Sequence, residues 1–210
     1  MTHVAFLRAI NVGGRAVVKM ADLQAAFSAA GCANVRTFIA SGNILFDAPA
    51  PDDALRARIQ ARVGRLLGAE PVIVYRSIRD LQRLVATAPF GALAADASVK
   101  LYVAFVTAKT TQRRRFPLEL PKERLEAIAM RNGDVLIVSR RKPNGMYGFP
   151  NNWIERELDV AATARNWSTV TRIVEVASGN SQPQIPNPKS QFESRTRSNE
   201  SRTRSKPKSQ

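Results

Sequence analysis

The sequence predicts an α+β fold in which a ferredoxin-like N-terminal subdomain packs on a related C-terminal subdomain. The first observation is an order of elements β-α-β-β-α-β within residues 1–76, the split βαβ arrangement. The second is a β-α-β-β-α pattern after it, and the third is a first strand that is apolar on both faces. The predicted units are 1–76, a connecting helix and loop over 77–98, a second α/β subdomain with a final helix over 99–177, and a disordered basic tail over 178–210.

In the N-terminal half, local signals place each element in turn. Residues 4–10 are a short apolar run ended by the turn-forming residues Asn-Val-Gly-Gly, which is typical of a buried strand. A helix follows with apolar residues at helical spacing, and Gly31 is its stop. Ser41-Gly42-Asn43 indicates a hairpin, and Asp52 or Asp53 caps a second helix. The further strands predicted here are Val35–Ala40, Ile44–Asp47 and Val72–Tyr75.

The first strand carries apolar residues on alternating positions of both faces. One face holds Val4, Phe6 and Ile10, and the other holds Ala5, Leu7 and Ala9. A sheet with one face in water would alternate apolar and polar residues. We therefore expect the second face to pack on the C-terminal half, which makes one compact body.

The C-terminal half repeats the same kinds of pattern. Ser77 caps a helix, and a strand follows at Val99–Val106. Pro121 begins a predicted helix whose apolar residues are Leu125, Ile128 and Ala129. After it we predict strands at Val135–Val138 and Met146–Phe149, a helix around Trp153, and a last helix with Val170, Ile173, Val174 and Ala177 on one face.

Composition excludes several chemistries. The chain has 210 residues with one Cys and one His, so an intrachain disulfide, a thiolate zinc cage and a multi-His metal site are excluded. We expect no metal and no cofactor. No segment approaches the roughly 20 apolar residues of a membrane-spanning helix, and the N-terminus has no signal-peptide pattern. The expected location is the cytoplasm, with no membrane partner.

The charge is strongly positive and partly concentrated in the tail. The chain carries a formal net charge of +15, which favours acidic partners. Residues 178–210 hold seven basic and two acidic residues, and the segment ESRTRS occurs twice. One interpretation is a flexible basic arm that contacts nucleic acid. The other is an extension without a selected function, because low complexity is easily acquired.

Three segments carry a resemblance to a known family. They are Leu7–Met20 (LRAINVGGRAVVKM), Val35–Phe46 (VRTFIASGNILF) and Thr163–Val170 (TARNWSTV). Together they resemble the uncharacterised bacterial family called domain of unknown function 1697. The resemblance implies an α/β protein built of ferredoxin-like subdomains, and it implies no activity.

The first candidate site lies where the loop after strand one meets the predicted hairpin. In a split βαβ unit these two turns leave the same edge of the sheet, beside the N-terminus of the first helix. Glycines permit close backbone approach, and helix N–H groups attract anions. The alternative is that these residues only turn the chain and that Arg8 pairs with a structural carboxylate. The candidate ligand-binding residues are Arg8, Asn11, Gly13, Gly14, Lys19, Ser41, Gly42 and Asn43.

The second candidate site is Thr163, Arg165, Asn166 and Trp167. Arginine and tryptophan together suit phosphate contact and base stacking. The alternative is structural: Thr163 or Asn166 caps the last helix, Trp167 anchors it, and Arg165 holds an acidic partner. Helix capping is likewise the favoured interpretation of Asn151-Asn152-Trp153.

Two functions remain open from the sequence. The first is a non-catalytic binder of a phosphate-bearing or other anionic ligand, either a nucleic acid or a nucleotide. The alternative is a small-molecule enzyme that uses Asn, Ser and Arg at the same sheet edge. The residue types favour binding, because His3 is expected to be solvated and no other general base is evident. We expect Arg8 and Asn43 to matter more to the ligand than Arg165.

Overall fold

The computed structural model describes residues 1–8, 10, 18–39, 41–107 and 114–179. Within them the chain forms nine strands and five α-helices, so the mixed α and β prediction is confirmed. The strands are β1 (Thr2–Leu7), β2 (Ala33–Thr37), β3 (Asn43–Asp47), β4 (Ile73–Ser77), β5 (Val99–Val106), β6 (Leu118–Leu120), β7 (Leu125–Arg131), β8 (Asp134–Arg140) and β9 (Ala162–Asn166). The helices are α1 (Met20–Ala29), α2 (Asp53–Leu67), α3 (Ile78–Ala86), α4 (Asn151–Leu158) and α5 (Trp167–Ala177).

Two antiparallel sheets organise the molecule. The first has four strands in the order β2-β3-β1-β4, and the second has five in the order β6-β7-β8-β5-β9. The N-terminal elements follow the predicted order, and their predicted caps are present. The Asp52 side chain accepts a hydrogen bond from the Leu55 N–H, and the Ser77 hydroxyl accepts one from the Asp80 N–H. Gly31 follows α1 with a φ of +103°, which favours glycine.

The first sheet is covered on both faces, as the sequence predicts. Helices α1 and α2 pack on one face, and the second sheet with α3 and α5 packs on the other. At the centre of this second interface the rings of Phe6 and Phe105 stack with centroids 4.3 Å apart. Ile10 lies with Ala5 and Leu7 rather than on the predicted face with Phe6, because β1 ends at Leu7 and the alternation stops there.

The helix predicted from Pro121 is wrong. Pro121–Glu123 forms a single 3-10 turn, and the chain then continues as β7. A register shift between Ala127 and Ala129 interrupts the pairing of β7 with β8. Before the shift Leu125 and Ala127 pack towards α4, and after it Ile128 and Ala129 pack towards the first sheet. A bulged strand therefore produced a spacing that is typical of a helix.

The C-terminal half differs from the prediction at two further places. Met146–Phe149 is a loop, not a strand, and Ala162–Asn166 is a strand that was not predicted. The strand β9 was missed because Thr163, Arg165 and Asn166 interrupt its apolar pattern. The second half therefore runs β-β-β-β-α-β-α, not the predicted β-α-β-β-α.

The predicted basic tail lies outside the described residues from position 180 onward. No α-helix in the described ranges combines the length and the apolar character needed to cross a membrane.

Candidate functional site

A cavity of about 680 Å³ opens where the two sheets meet. Its first wall comes from the end of β1 and the β2–β3 hairpin and is formed by Leu7, Arg8, Ile10, Ile39 and Ser41. Its second wall comes from the start of α4 and is formed by Phe149, Asn151 and Asn152. Its third wall comes from β9 and α5 and is formed by Thr163, Ala164, Arg165, Asn166 and Thr169. Residues of both predicted sites thus meet at one cavity.

Arg165 is the buried cation of this cavity. It lies in β9 beside Val103 of β5 and is 9% exposed. Its side chain extends from the second sheet to the first. Its Nε donates to Asn43 Oδ1 (2.5 Å), Nη1 donates to Thr163 Oγ1 (2.7 Å) and Ala164 O (2.9 Å), and Nη2 donates to Leu7 O (2.8 Å), Ser41 O (3.1 Å) and Gly42 O (3.4 Å). All five N–H donors of the guanidinium therefore have protein acceptors.

These acceptors are neutral, so the charge of Arg165 is not balanced locally. Among the described residues Arg165 takes part in no ion pair, and its guanidinium carbon lies 5.3 Å from the centroid of the Phe6 ring. Burial lowers the pKa of Arg165 to about 10, which leaves the side chain protonated at neutral pH. The structural alternative, in which Arg165 holds an acidic partner, is wrong for this part of the chain.

Arg8 is the second cation of the cavity, and it forms an ion pair with a carboxylate. Its Nη2 donates to Glu155 Oε2 at 2.7 Å and to Asn152 Oδ1 at 3.1 Å. The expected alternative, an ion pair with a structural carboxylate, is therefore confirmed. The Arg8 Nε, however, is buried and has no hydrogen-bond partner among the described residues. A buried donor without an acceptor costs about 1–3 kcal/mol. The part of the Arg8 side chain that a ligand can reach is the exposed 31%.

The asparagines of α4 do not cap their own helix. Asn151 Oδ1 accepts from the Ala164 N–H at 2.6 Å and so caps the open edge of β9. Glu155 Oε1 accepts from the Ala162 N–H at 2.9 Å in the same way. The first turn of α4 has no side-chain cap. The capping interpretation of Asn151 and Asn152 is therefore wrong.

The structure places the residues of the second predicted site at the junction of β9 and α5. Asn166 occupies the N-cap position of α5, but its side chain makes no capping hydrogen bond. Thr163 does not cap, because its hydroxyl accepts from Arg165. Trp167 packs edge to face on Phe90, with ring centroids 5.2 Å apart, so its predicted anchoring role is confirmed.

Of the three predicted hairpin residues, Ser41 lines the cavity, whereas Gly42 and Asn43 support its wall without lining it. Asn43 is fully buried, and its amide donates to Phe38 O at 3.0 Å and to Ser41 Oγ at 2.9 Å. Gly42 has a φ of +72°, and a Cβ there would lie 3.1 Å from Leu7 and Ile10. Lys19 is exposed at the N-cap of α1 and is not in the cavity wall. Asn11, Gly13 and Gly14 lie outside the described residues.

Two exposed apolar residues of the wall are not among the predicted site residues. Phe149 is 60% exposed, and Ile39 is 37% exposed with a φ of +49°. A β-branched residue in the left-handed region is strained, and such strain often marks functional sites. The sequence carried a signal for Phe149, because Gly148 and Pro150 on either side of it disfavour a strand.

The described residues of the cavity wall offer positive charge and polar groups. Their cavity wall contains two arginines and no carboxylate. The described part of the chain has no group of three or more His, Cys, Asp or Glu side chains that could hold a metal ion. His3 lies in β1 and is 5% exposed, so the expectation that it is solvated is wrong. Burial lowers its pKa, and it does not line the cavity.

Three comparisons place the chain among known proteins. No curated protein matches it. The chain is similar in fold to a solved structure described as the conserved bacterial protein SP0830 from Streptococcus pneumoniae, with a TM-score of 0.53 and 17% sequence identity. That similarity covers 83% of this chain and 97% of the other. A family model described as a protein of unknown function (DUF1697) matches residues 1–136, and the chain therefore belongs to that family.

Proposed function

We propose that the cavity between the two sheets binds a phosphate-bearing or other anionic small molecule, and that the protein acts as a binder of that ligand. The observation that carries the proposal is the buried charge of Arg165, which has no carboxylate among its described neighbours. A buried cation without an anion is unfavourable, and a bound anion supplies the missing charge.

The two arginines contribute in different ways. The donors of Arg165 are all used within the protein, so Arg165 acts on a ligand through its electric field. Arg8 supplies the direct contact, because its side chain lines the cavity and is 31% exposed. Asn151 and Asn152 begin α4, and Asn166 precedes the first residue of α5. Both helix N-termini border the cavity and add positive potential to that of the arginines.

The size and the walls of the cavity favour a small organic molecule. Ligand pockets commonly enclose about 300–1,000 Å³ and combine an apolar wall with a few polar groups. Here Leu7, Ile10, Ile39 and Phe149 form the apolar part. An inorganic ion alone would leave most of a cavity of about 680 Å³ unfilled.

We also propose a ferredoxin-like first subdomain, a basic C-terminal arm and a cytoplasmic location. The strand order β2-β3-β1-β4 and the connection order of the first half support a ferredoxin-like subdomain. The composition of residues 178–210 supports a disordered basic arm, and nucleic acid stays a predicted partner of that arm. One cysteine in 210 residues supports a cytoplasmic location.

Calorimetric titration of the full chain with anions and their neutral counterparts tests the proposal. We expect inorganic phosphate and sugar phosphates to bind and the unphosphorylated sugars not to bind. Arg8→Ala should weaken binding about tenfold to a hundredfold, the usual cost of one charged hydrogen bond. Arg140→Ala is the matched control, since Arg140 pairs with Glu126 at the same 2.7 Å but lies outside the cavity wall. Equal losses in both variants, or no binding by any anion, would contradict the proposal.

A further inference from the structure

Phe149 stands on a firmly held loop between β8 and α4. Ser139 Oγ donates to Gly148 O at 3.1 Å, and Gly148 packs so closely that a Cβ there would lie 2.6 Å from Glu123 O. Earlier in the loop, the Lys142 N–H donates to Met146 O at 2.8 Å. Gly148 and Pro150 on either side of Phe149 are buried, whereas Phe149 itself is 60% exposed. The backbone therefore holds a large aromatic side chain out of the core.

The ring of Phe149 is oriented by a neighbour. It lies perpendicular to the ring of Tyr102, with centroids 5.7 Å apart and an interplanar angle of 87°. An edge-to-face pair of this kind fixes the plane of the ring and leaves ring surface free. Because the orientation is already set, stacking of a ligand on Phe149 would immobilise little further side-chain freedom.

A second exposed apolar residue borders the same cavity from the other sheet. Ile39 belongs to the β2–β3 hairpin and is 37% exposed. Two exposed apolar side chains, one on the hairpin of the first sheet and one on the loop that follows β8, thus line one cavity beside two arginines. The rest of the wall includes Asn166 and Thr169, whose side chains make no hydrogen bond with any described residue. These polar groups can donate to and accept from a ligand.

We propose that the anionic ligand of this cavity is a nucleoside phosphate whose base stacks on Phe149 while its phosphate lies near Arg8 and Arg165. This inference rests on the proposed function and adds the aromatic part of the ligand. A nucleobase is flat and apolar on its faces, and its edge carries both donors and acceptors. That combination matches an exposed aromatic ring beside unpaired amide and hydroxyl groups.

The test separates the base from the phosphate. Calorimetry of the full chain would compare four nucleoside 5′-monophosphates with ribose 5-phosphate, which keeps the phosphate, and with the nucleosides, which keep the base. We expect at least one nucleotide to bind tenfold or more tightly than ribose 5-phosphate. Phe149→Ala should weaken nucleotide binding by about 5-fold to 100-fold and so remove that difference. It should leave the affinity for ribose 5-phosphate unchanged. Phe149→Tyr should keep the difference.

The control variant is Met146→Ala, since Met146 is 64% exposed on the same loop but does not line the cavity. It should change none of these affinities. Equal binding of nucleotides and ribose 5-phosphate would overturn the nucleobase inference and leave the anion site standing. An equal loss for both ligands in Phe149→Ala would also overturn it, because Phe149 would then only support the fold. Failure of every phosphate compound to bind would reject the proposed function itself.

Discussion

Two arginines join the two sheets, the half-buried Arg76 and the buried Arg165, and they differ in their partners. Arg76 extends from β4 of the first sheet to Asp134 of the second, with 2.8 Å between Nη2 and Oδ1. It also donates to Val106 O and Gly133 O at 3.2 and 3.3 Å. Arg165 extends in the opposite direction, from the second sheet to carbonyls of the first, and meets no described carboxylate. The charge of Arg76 is therefore balanced by the carboxylate of Asp134, whereas the charge of Arg165 is not balanced by any described carboxylate. We call these two bridges between the sheets the Arg76 junction and the Arg165 junction.

The same stacked ring pair lies between these two junctions. The guanidinium carbon of Arg76 lies 5.6 Å from the centroid of Phe105, and that of Arg165 lies 5.3 Å from the centroid of Phe6. Cavities also border Arg76, but their walls include carboxylates, namely Glu70 in one and Asp80 and Asp134 in the other. Both arginines hold the sheets together, and they differ in that Arg76 has a carboxylate partner whereas Arg165 has none among the described residues.

The largest effect on stability is expected from Arg165→Met. The change keeps much of the apolar volume but leaves the Asn43 amide oxygen and several carbonyls without a donor. Each such group costs about 1–3 kcal/mol, so we expect a loss of about 3–5 kcal/mol in the free energy of unfolding. In a chain of this size that corresponds to a drop of roughly 10 °C in Tm. Urea denaturation measures it, and a loss below about 1 kcal/mol would show that Arg165 does not join the sheets.

A somewhat smaller effect is expected from Arg76→Met, and it should be reversible. Removing Arg76 leaves the Asp134 carboxylate buried without its ion pair. Because Arg76 itself is partly exposed, we expect a cost of about 2–3 kcal/mol, below the ~3–5 kcal/mol of a fully buried pair. The double variant Arg76→Met with Asp134→Leu should recover most of that loss, because it removes the unpaired charge as well. A double-mutant cycle by urea denaturation gives the coupling energy. Absence of recovery would mean that the contacts of Arg76 with Val106 and Gly133 matter more than its charge.

The smallest effect concerns His3, a buried polar side chain of β1. Its Nε2 has no hydrogen-bond partner in the described part of the chain. Burial lowers the pKa of His3 from its ordinary 6.5, so the folded chain binds fewer protons than the unfolded chain near that pH. The contribution of His3 to the free energy of unfolding is therefore retained above its ordinary pKa of 6.5 and is lost as the pH falls below that value. We expect urea denaturation to give a lower stability at pH 5.5 than at pH 7.5, and His3→Phe should remove this difference. An unchanged pH dependence in His3→Phe would assign it to another group.

The sequence predicted the N-terminal half well because its signals are local. The Asp52 and Ser77 caps, the Gly31 stop and the Ser41-Gly42-Asn43 hairpin each depend on neighbours within a few residues. The C-terminal half fails where the structure depends on distant pairing. The bulge in β7 mimics helical spacing, and β9 is a strand only because β5 and the side chains of α4 satisfy its backbone.

The candidate site was predicted in two pieces for the same reason. The polar residues of the hairpin and of the segment Thr163–Asn166 were both recognised by type. Their meeting was not, because Asn43 and Arg165 are separated by 122 positions. The sequence predicts that Asn43 matters more to the ligand than Arg165. Because these two side chains share a hydrogen bond, they belong to one site, and a change in either one affects the other. The exposed Phe149 was missed because its segment was assigned to a strand.

The most direct test of the central claim is to place a carboxylate in the cavity by Asn166→Asp. Asn166 lines the cavity at the N-cap of α5, where aspartate is at least as favourable as asparagine and interacts well with the helix dipole. We expect an unchanged or slightly higher Tm together with a loss of phosphate affinity of tenfold or more, because the new carboxylate balances the charge of Arg165. Asn144→Asp, outside the cavity wall, is the control and should leave the affinity unchanged. Undiminished phosphate binding by a folded Asn166→Asp variant would contradict the claim that the unbalanced charge of Arg165 makes this cavity an anion site.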